Sequence, residues 1–83
     1  GEGDTMLVGK LLTGNRERLV VEVLDKYKGT RSIDCRIYKV LSDGELMATA
    51  DGVTISPDQV GSLVDLLKEA VKKAREKQET ARS

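Results

Sequence analysis

The chain has 83 residues, with no Phe, Trp or His, two Tyr and one Cys, and its formal net charge is zero. That length suits one small domain with a thin aliphatic core. Ser-His-Asp and Cys-His catalysis both need a histidine, one thiol closes no internal disulfide, and Cys35 without histidine makes no zinc site.

Charge is unevenly spread. Lys10 to Lys39 holds eight bases and four acids, Val40 to Leu67 holds five acids and no base, and the remainder holds six bases and three acids. Overall neutrality argues against indiscriminate nucleic-acid binding, yet the basic first half allows a local basic surface. The apolar runs are short and broken by charges, so no signal peptide or membrane span is expected. A lone thiol fits a reducing cytoplasm.

The opening GEGDTM is a polar lead-in and is placed outside the fold. Met6 to Leu12 reads as a first strand, and TGNRE as a turn in which Gly14 and Asn15 tolerate positive φ. RLVVEVLDKY, from Arg18, is rich in β-branched residues and reads as a second strand with Leu19, Val21 and Val23 on one face. Lys28-Gly29 turns the chain into a third strand that ends at Val40. There Ile33, Cys35 and Ile37 share the parity of a core face, and Ser32, Asp34, Arg36 and Tyr38 share the other. Cys35 is then a small buried residue rather than a nucleophile. Ser42 to Glu45, SDGE, is a hairpin turn. LMATADGVTI is a fourth strand, weakened by alanines and kinked near Gly52.

The last element is a helix with a clear start. Ser56 is the N-cap, Pro57 suits the first helical position and Gln59 completes a capping box. Val60, Leu63, Val64, Leu67, Ala70, Val71 and Ala74 recur at helical spacing. A helix reaching about Glu79 is roughly 34 Å long at 1.5 Å per residue, whereas a seven-residue strand spans about 23 Å. The helix therefore overhangs its own sheet, and its stripe calls for a second copy. The expected domain is residues 6–79, with 1–5 and 80–83 as flexible ends. Neither a Walker loop nor a dinucleotide fingerprint occurs, and Asp34 and Asp51 read as structural acids, so no enzyme is expected.

The ordered set YKG, IDCRIYK, SDGE and DGVTISPDQ, with VGK at Val8 to Lys10, resembles the transcriptional positive cofactor four family in its bacterial form. The resemblance covers about Met6 to Leu67. It implies an α+β fold: a four-stranded curved antiparallel sheet followed by one long C-terminal helix, assembled as a homodimer. It implies a protein that binds single-stranded DNA or melted duplex, needs no cofactor and acts in transcription or genome maintenance. Arg36 and Tyr38 match the family's binding strand, and Tyr27 matches its aromatic before KG. The chain also departs from the pattern. Lys39 stands where relatives often carry tryptophan, Ala50 and Asp51 replace a basic pair, and Met47 replaces a frequent basic residue.

The resulting candidate nucleic-acid-binding residues are Lys10, Arg18, Tyr27, Lys28, Arg36, Tyr38 and Lys39. Cations follow phosphates, and aromatic or guanidinium planes stack on open bases. Lys10, Lys28, Arg36 and Arg18 are the expected phosphate contacts. Lys39 has the opposite strand parity, and the parity of Tyr27 matches the apolar set of its strand unless a bulge intervenes. The expected partners are single-stranded DNA or RNA, a second copy of the chain, and transcription or repair proteins, in the cytoplasm and on the nucleoid in a bacterium. The alternative is a protein-interaction dimer of the same fold, which the loss of bases at Ala50 and Asp51 favours.

Overall fold

The computed structural model describes residues 4–27 and 29–82, with side chains at 4–25 and 29–76. Strand β1 is Asp4–Gly14, β2 is Glu17–Tyr27, β3 is Thr30–Val40 and β4 is Leu46–Ile55. They form one antiparallel sheet in the order β1-β2-β3-β4, so each strand pairs with its neighbour in sequence. A single 3-10 turn, Pro57–Gln59, then leads into helix α1, Val60–Arg82.

Local chemistry explains most boundaries. The turn between β2 and β3 uses Gly29 at φ 67°, and the loop between β3 and β4 uses Gly44 at φ 87°, where a side chain would be strained. Asp43 accepts a bond from the Glu45 amide at 2.9 Å, which fixes the second loop. The expected helix start is present. The Ser56 hydroxyl accepts from the Asp58 amide at 3.2 Å, and the Gln59 side chain accepts from the Ser56 amide at 3.4 Å.

Four expectations change in detail. β1 begins at Asp4, inside the polar lead-in, because Asp4 and Thr5 pair with Asp25 and Leu24. Neither Gly14 nor Asn15 takes a positive φ; the register shifts between Leu12 and Gly14, and that bulge adjoins a turn needing no left-handed residue. The kink in β4 is a register shift: Ala48 opposes Tyr38 and Gly52 opposes Arg36, so Thr49 to Asp51 bulge out. Helix α1 extends to Arg82. The expectation of flexible ends falls, at residues 1–3 and 83, outside the described residues.

Burial runs against the expected core. Among the described residues, only Val20 (3% exposed) and Asp34 (5%) are buried, and both have the parity of Arg36 and Tyr38. Ile33, Cys35 and Ile37 are half-exposed. One recess on the Arg36 face is lined from all four strands, by Thr5, Glu22, Tyr38 and Thr54 among others. The sheet is therefore curved with that face concave, and its side chains crowd one another. On the convex face Met6, Leu11, Met47 and Val53 remain exposed. Helix α1 covers little of it, since the helical segment meets the sheet chiefly where the 3-10 turn touches β3. Val64, Leu67 and Val71 on α1 stay exposed, and the chain measures 55 × 37 × 18 Å.

Candidate nucleic-acid interface

Register brings the expected residues together row by row. Lys10, Val20, Arg36 and Gly52 form one row across the four strands, and Leu12, Arg18, Tyr38 and Ala48 form the next. Side chains two apart on a strand share a face, so Lys10, Arg18, Arg36 and Tyr38 all lie on the concave face. Lys39 opposes Glu17 and Met47 on the convex parity, and the structure does not bring it to the others. The register of β2 shifts between Leu24 and Tyr27, so Tyr27 opposes Thr30, a position with the parity of Arg36. The bulge thus moves the Tyr27 position to the concave parity; its side chain, and all of Lys28, lie outside the described residues.

Arg36 and Tyr38 are both held by acids. Arg36 Nε and Nη2 donate to the two carboxylate oxygens of Asp34, each at 3.1 Å, and Nη1 donates to the Thr49 carbonyl at 3.1 Å. Thr54 Oγ1 donates to Asp34 Oδ1 at 2.6 Å. A buried carboxylate needs this compensation, because desolvation disfavours an unpaired charge. The Asp34 hydrogen bond is the main cause that raises the Arg36 pKa further, so its charge is permanent. Tyr38 Oη donates to Glu22 Oε1 at 2.8 Å. That bond, and then burial, raise the phenol above its ordinary pKa. Tyr38 opposes Arg18, and Glu22 lies two rows away opposite Asp34. The pair meets above the intervening row, which contains Val20 and accounts for its burial.

The β4 bulge builds the remaining wall. Thr49 Oγ1 donates to the Ile37 carbonyl at 2.7 Å and accepts from the Asp51 amide at 3.2 Å. A Cβ on Gly52 would stand 2.6 Å from the Cys35 carbonyl oxygen and 2.8 Å from Arg36 Cα. Only glycine lets β4 lie this close to Arg36. Elsewhere, Arg18 Nη1 donates to the carbonyls of Gly14 (3.0 Å) and Glu17 (2.7 Å), neutral groups that leave its charge uncompensated. Lys10 is exposed beside it, and both border a recess with Leu12 and Leu46.

Glu22, Thr49 and Thr54 were not among the residues expected at the site. Glu22 has the polar parity of its strand, which was a usable signal; Thr49 and Thr54 depend on the bulge. No group of three or more His, Cys, Asp or Glu among the described residues is arranged to hold a metal, and no helix there is long and apolar enough to cross a membrane.

A curved antiparallel meander ending in one long, outlying helix defines this as a PC4-like fold, PC4 being the positive cofactor four of the sequence resemblance. Two crystal forms of a PC4 homolog from Burkholderia pseudomallei share it. The tetragonal form matches with a TM-score of 0.74 at 22% identity, covering 82% of this chain and 98% of the other. The orthorhombic form matches with a TM-score of 0.72 at 24% identity, covering 84% and 90%. No family model matches the sequence, and no curated protein matches it.

Proposed function

We propose that the protein is a non-enzymatic homodimer that binds single-stranded nucleic acid, DNA in the first instance, across its concave sheet face with little sequence preference. The observation that carries this is the convergence of Lys10, Arg18, Arg36 and Tyr38 on one concave face of a PC4-like sheet. A single strand needs cations along its phosphates and planar groups for its bases, and every base has a face to stack. The reading places the protein in transcription or genome maintenance, in the cytoplasm or on the nucleoid, with transcription or repair proteins as further partners.

The dimer rests on a separate observation. One buried apolar residue among those described is no core, and the exposed stripe of Val64, Leu67 and Val71 matches an exposed convex face in need of cover. Small domains commonly meet this shortage by oligomerising. Three phosphate contacts per protomer (Lys10, Arg18 and Lys28) give about six per dimer. The log–log salt slope of binding is then near −4, at about −0.7 per contact on single strands.

A titration of labelled oligothymidine at low salt, against a blunt duplex of equal length, tests the proposal. Tighter binding of the single strand is expected; equal affinity for the duplex contradicts it. Two observations favour the second reading, a protein-interaction dimer. Leu12 (74% exposed) and Leu7 border the concave face, and Asp51 stands where the family carries a base. No binding of either nucleic acid at low salt selects that reading.

A further inference from the structure

The Arg36 guanidinium is held in a way that does not suit a phosphate clamp. Of its five N–H donors, three are engaged: two on Asp34 and one on the Thr49 carbonyl. Its side chain is 24% exposed, whereas that of Asp34 is 7% exposed. A phosphate approaching Arg36 meets a cation already neutralised by a carboxylate 3.1 Å away and shielded from solvent. The partners come from two strands and grip the edges of the plane. Asp34 is itself fixed by Thr54, and the Thr49 carbonyl is delivered by a bulge that only glycine at position 52 permits. A planar group held by its edges offers its face, and guanidinium faces stack on aromatic rings and on bases.

We propose that Asp34 is a positioning residue which, with the Thr49 carbonyl, holds Arg36 as a fixed and charge-neutralised plane that stacks on a nucleobase, leaving the phosphates to other cations, Lys10 and Arg18 among them. This rests on the single-strand-binding reading above. It departs from the sequence expectation, in which Arg36 is a phosphate contact. It assigns the β3 position of the row that Arg36 shares with Val20 and Lys10 to a base face, and Lys10 and Arg18 to the backbone.

The test compares labelled oligothymidine with an abasic strand of the same length and charge, each across a salt series. Arg36→Ala and Arg36→Lys are both expected to weaken oligothymidine binding by about thirtyfold, two lost stacking contacts per dimer at the low end of the range for one base each. Arg36→Lys leaves abasic binding and the salt slope unchanged, because a lysine still neutralises Asp34, whereas Arg36→Ala uncovers the Asp34 carboxylate and weakens the abasic strand as well. Lys10→Ala is expected to weaken both strands and flatten the slope by about 1.4, two contacts per dimer at about 0.7 each. Asp34→Asn frees the Arg36 charge, so the slope steepens and the preference for bases over abasic sites falls. If Asp34→Asn does not fold, by its melting curve, the Arg36 pair decides alone. Equal loss on both strands with a flatter slope, restored by Arg36→Lys, shows a phosphate contact and overturns the proposal. Wild-type binding of oligothymidine with no effect of either Arg36 variant overturns the proposal and leaves single-strand binding standing. Absence of wild-type binding to either strand overturns both.

Discussion

Replacing Gly52 with alanine probes how the β4 bulge is built against Arg36. The added Cβ would sit 2.6 Å from the Cys35 carbonyl oxygen, 2.8 Å from Arg36 Cα and 3.0 Å from Arg36 Cβ. Two of these atoms are backbone and the third is a Cβ, so no flexible side-chain end can swing away. β3 and β4 must separate locally, and overpacking of this kind costs about 1–3 kcal/mol. Against it stands a gain of about 0.4–1 kcal/mol from the stiffer unfolded chain. The central values, about 2 and about 0.7 kcal/mol, leave a net loss of about 1.3 kcal/mol, which lowers Tm by roughly 5–10 °C for a domain of this size. Thermal melts at one fixed chain concentration measure it, since a dimer's Tm depends on concentration. Gly61→Ala is the control: its Cβ meets nothing within 4 Å, and a helical site gains up to about 1 kcal/mol. A Gly52→Ala protein that melts with or above wild type refutes the close approach and the bulge that depends on it.

Further expected outcomes concern assembly, proton linkage and charge. Sedimentation at micromolar concentration should give twice the chain mass, and Val71→Asp on the exposed helix stripe should shift it toward the monomer; a wild-type monomer with a cooperative melt contradicts the dimer. The raised Tyr38 pKa means the folded state holds the phenol proton more tightly than the unfolded state. That stabilisation is full below the unfolded value of about 10 and fades as pH rises through the folded one. The stability gap between wild type and Tyr38→Phe, from urea melts, should therefore narrow from pH 8 to pH 11; a constant gap refutes the Glu22 bond. Asp51→Lys should tighten oligothymidine binding and steepen the slope by up to about 1.4, two added contacts per dimer; unchanged binding places position 51 away from the strand.

What was legible in the sequence was local. Ser56, Pro57 and Gln59 state a helix start within four residues, and Asp43-Gly44 states a turn within two, because the groups that bond are neighbours in the chain. The Asp34–Arg36 pair was also within reach, since residues two apart on a strand share a face. The rest depends on register. The bulge between Leu24 and Tyr27 moves the Tyr27 position to the other parity, and the bulge at Thr49 to Asp51 delivers a carbonyl to Arg36. Neither changes composition or periodicity enough to be counted. The Glu22–Tyr38 bond spans sixteen residues and two rows, so it needs the pairing of β2 and β3 to be known first. Burial was misplaced for a related reason. Alternation separates two faces, but curvature decides which one is crowded in a single chain, and the apolar face here lacks a covering layer.

Amide chemical-shift mapping during an oligothymidine titration reads both faces of the sheet at once and so locates the bound strand. Binding across the concave face predicts shifts concentrated on Lys10, Arg18, Val20, Arg36 and Tyr38, with Leu19, Ile33 and Ile37 on the convex parity moving little. Shifts confined to the convex residues or to helix α1, or none at saturating strand and low salt, would contradict it.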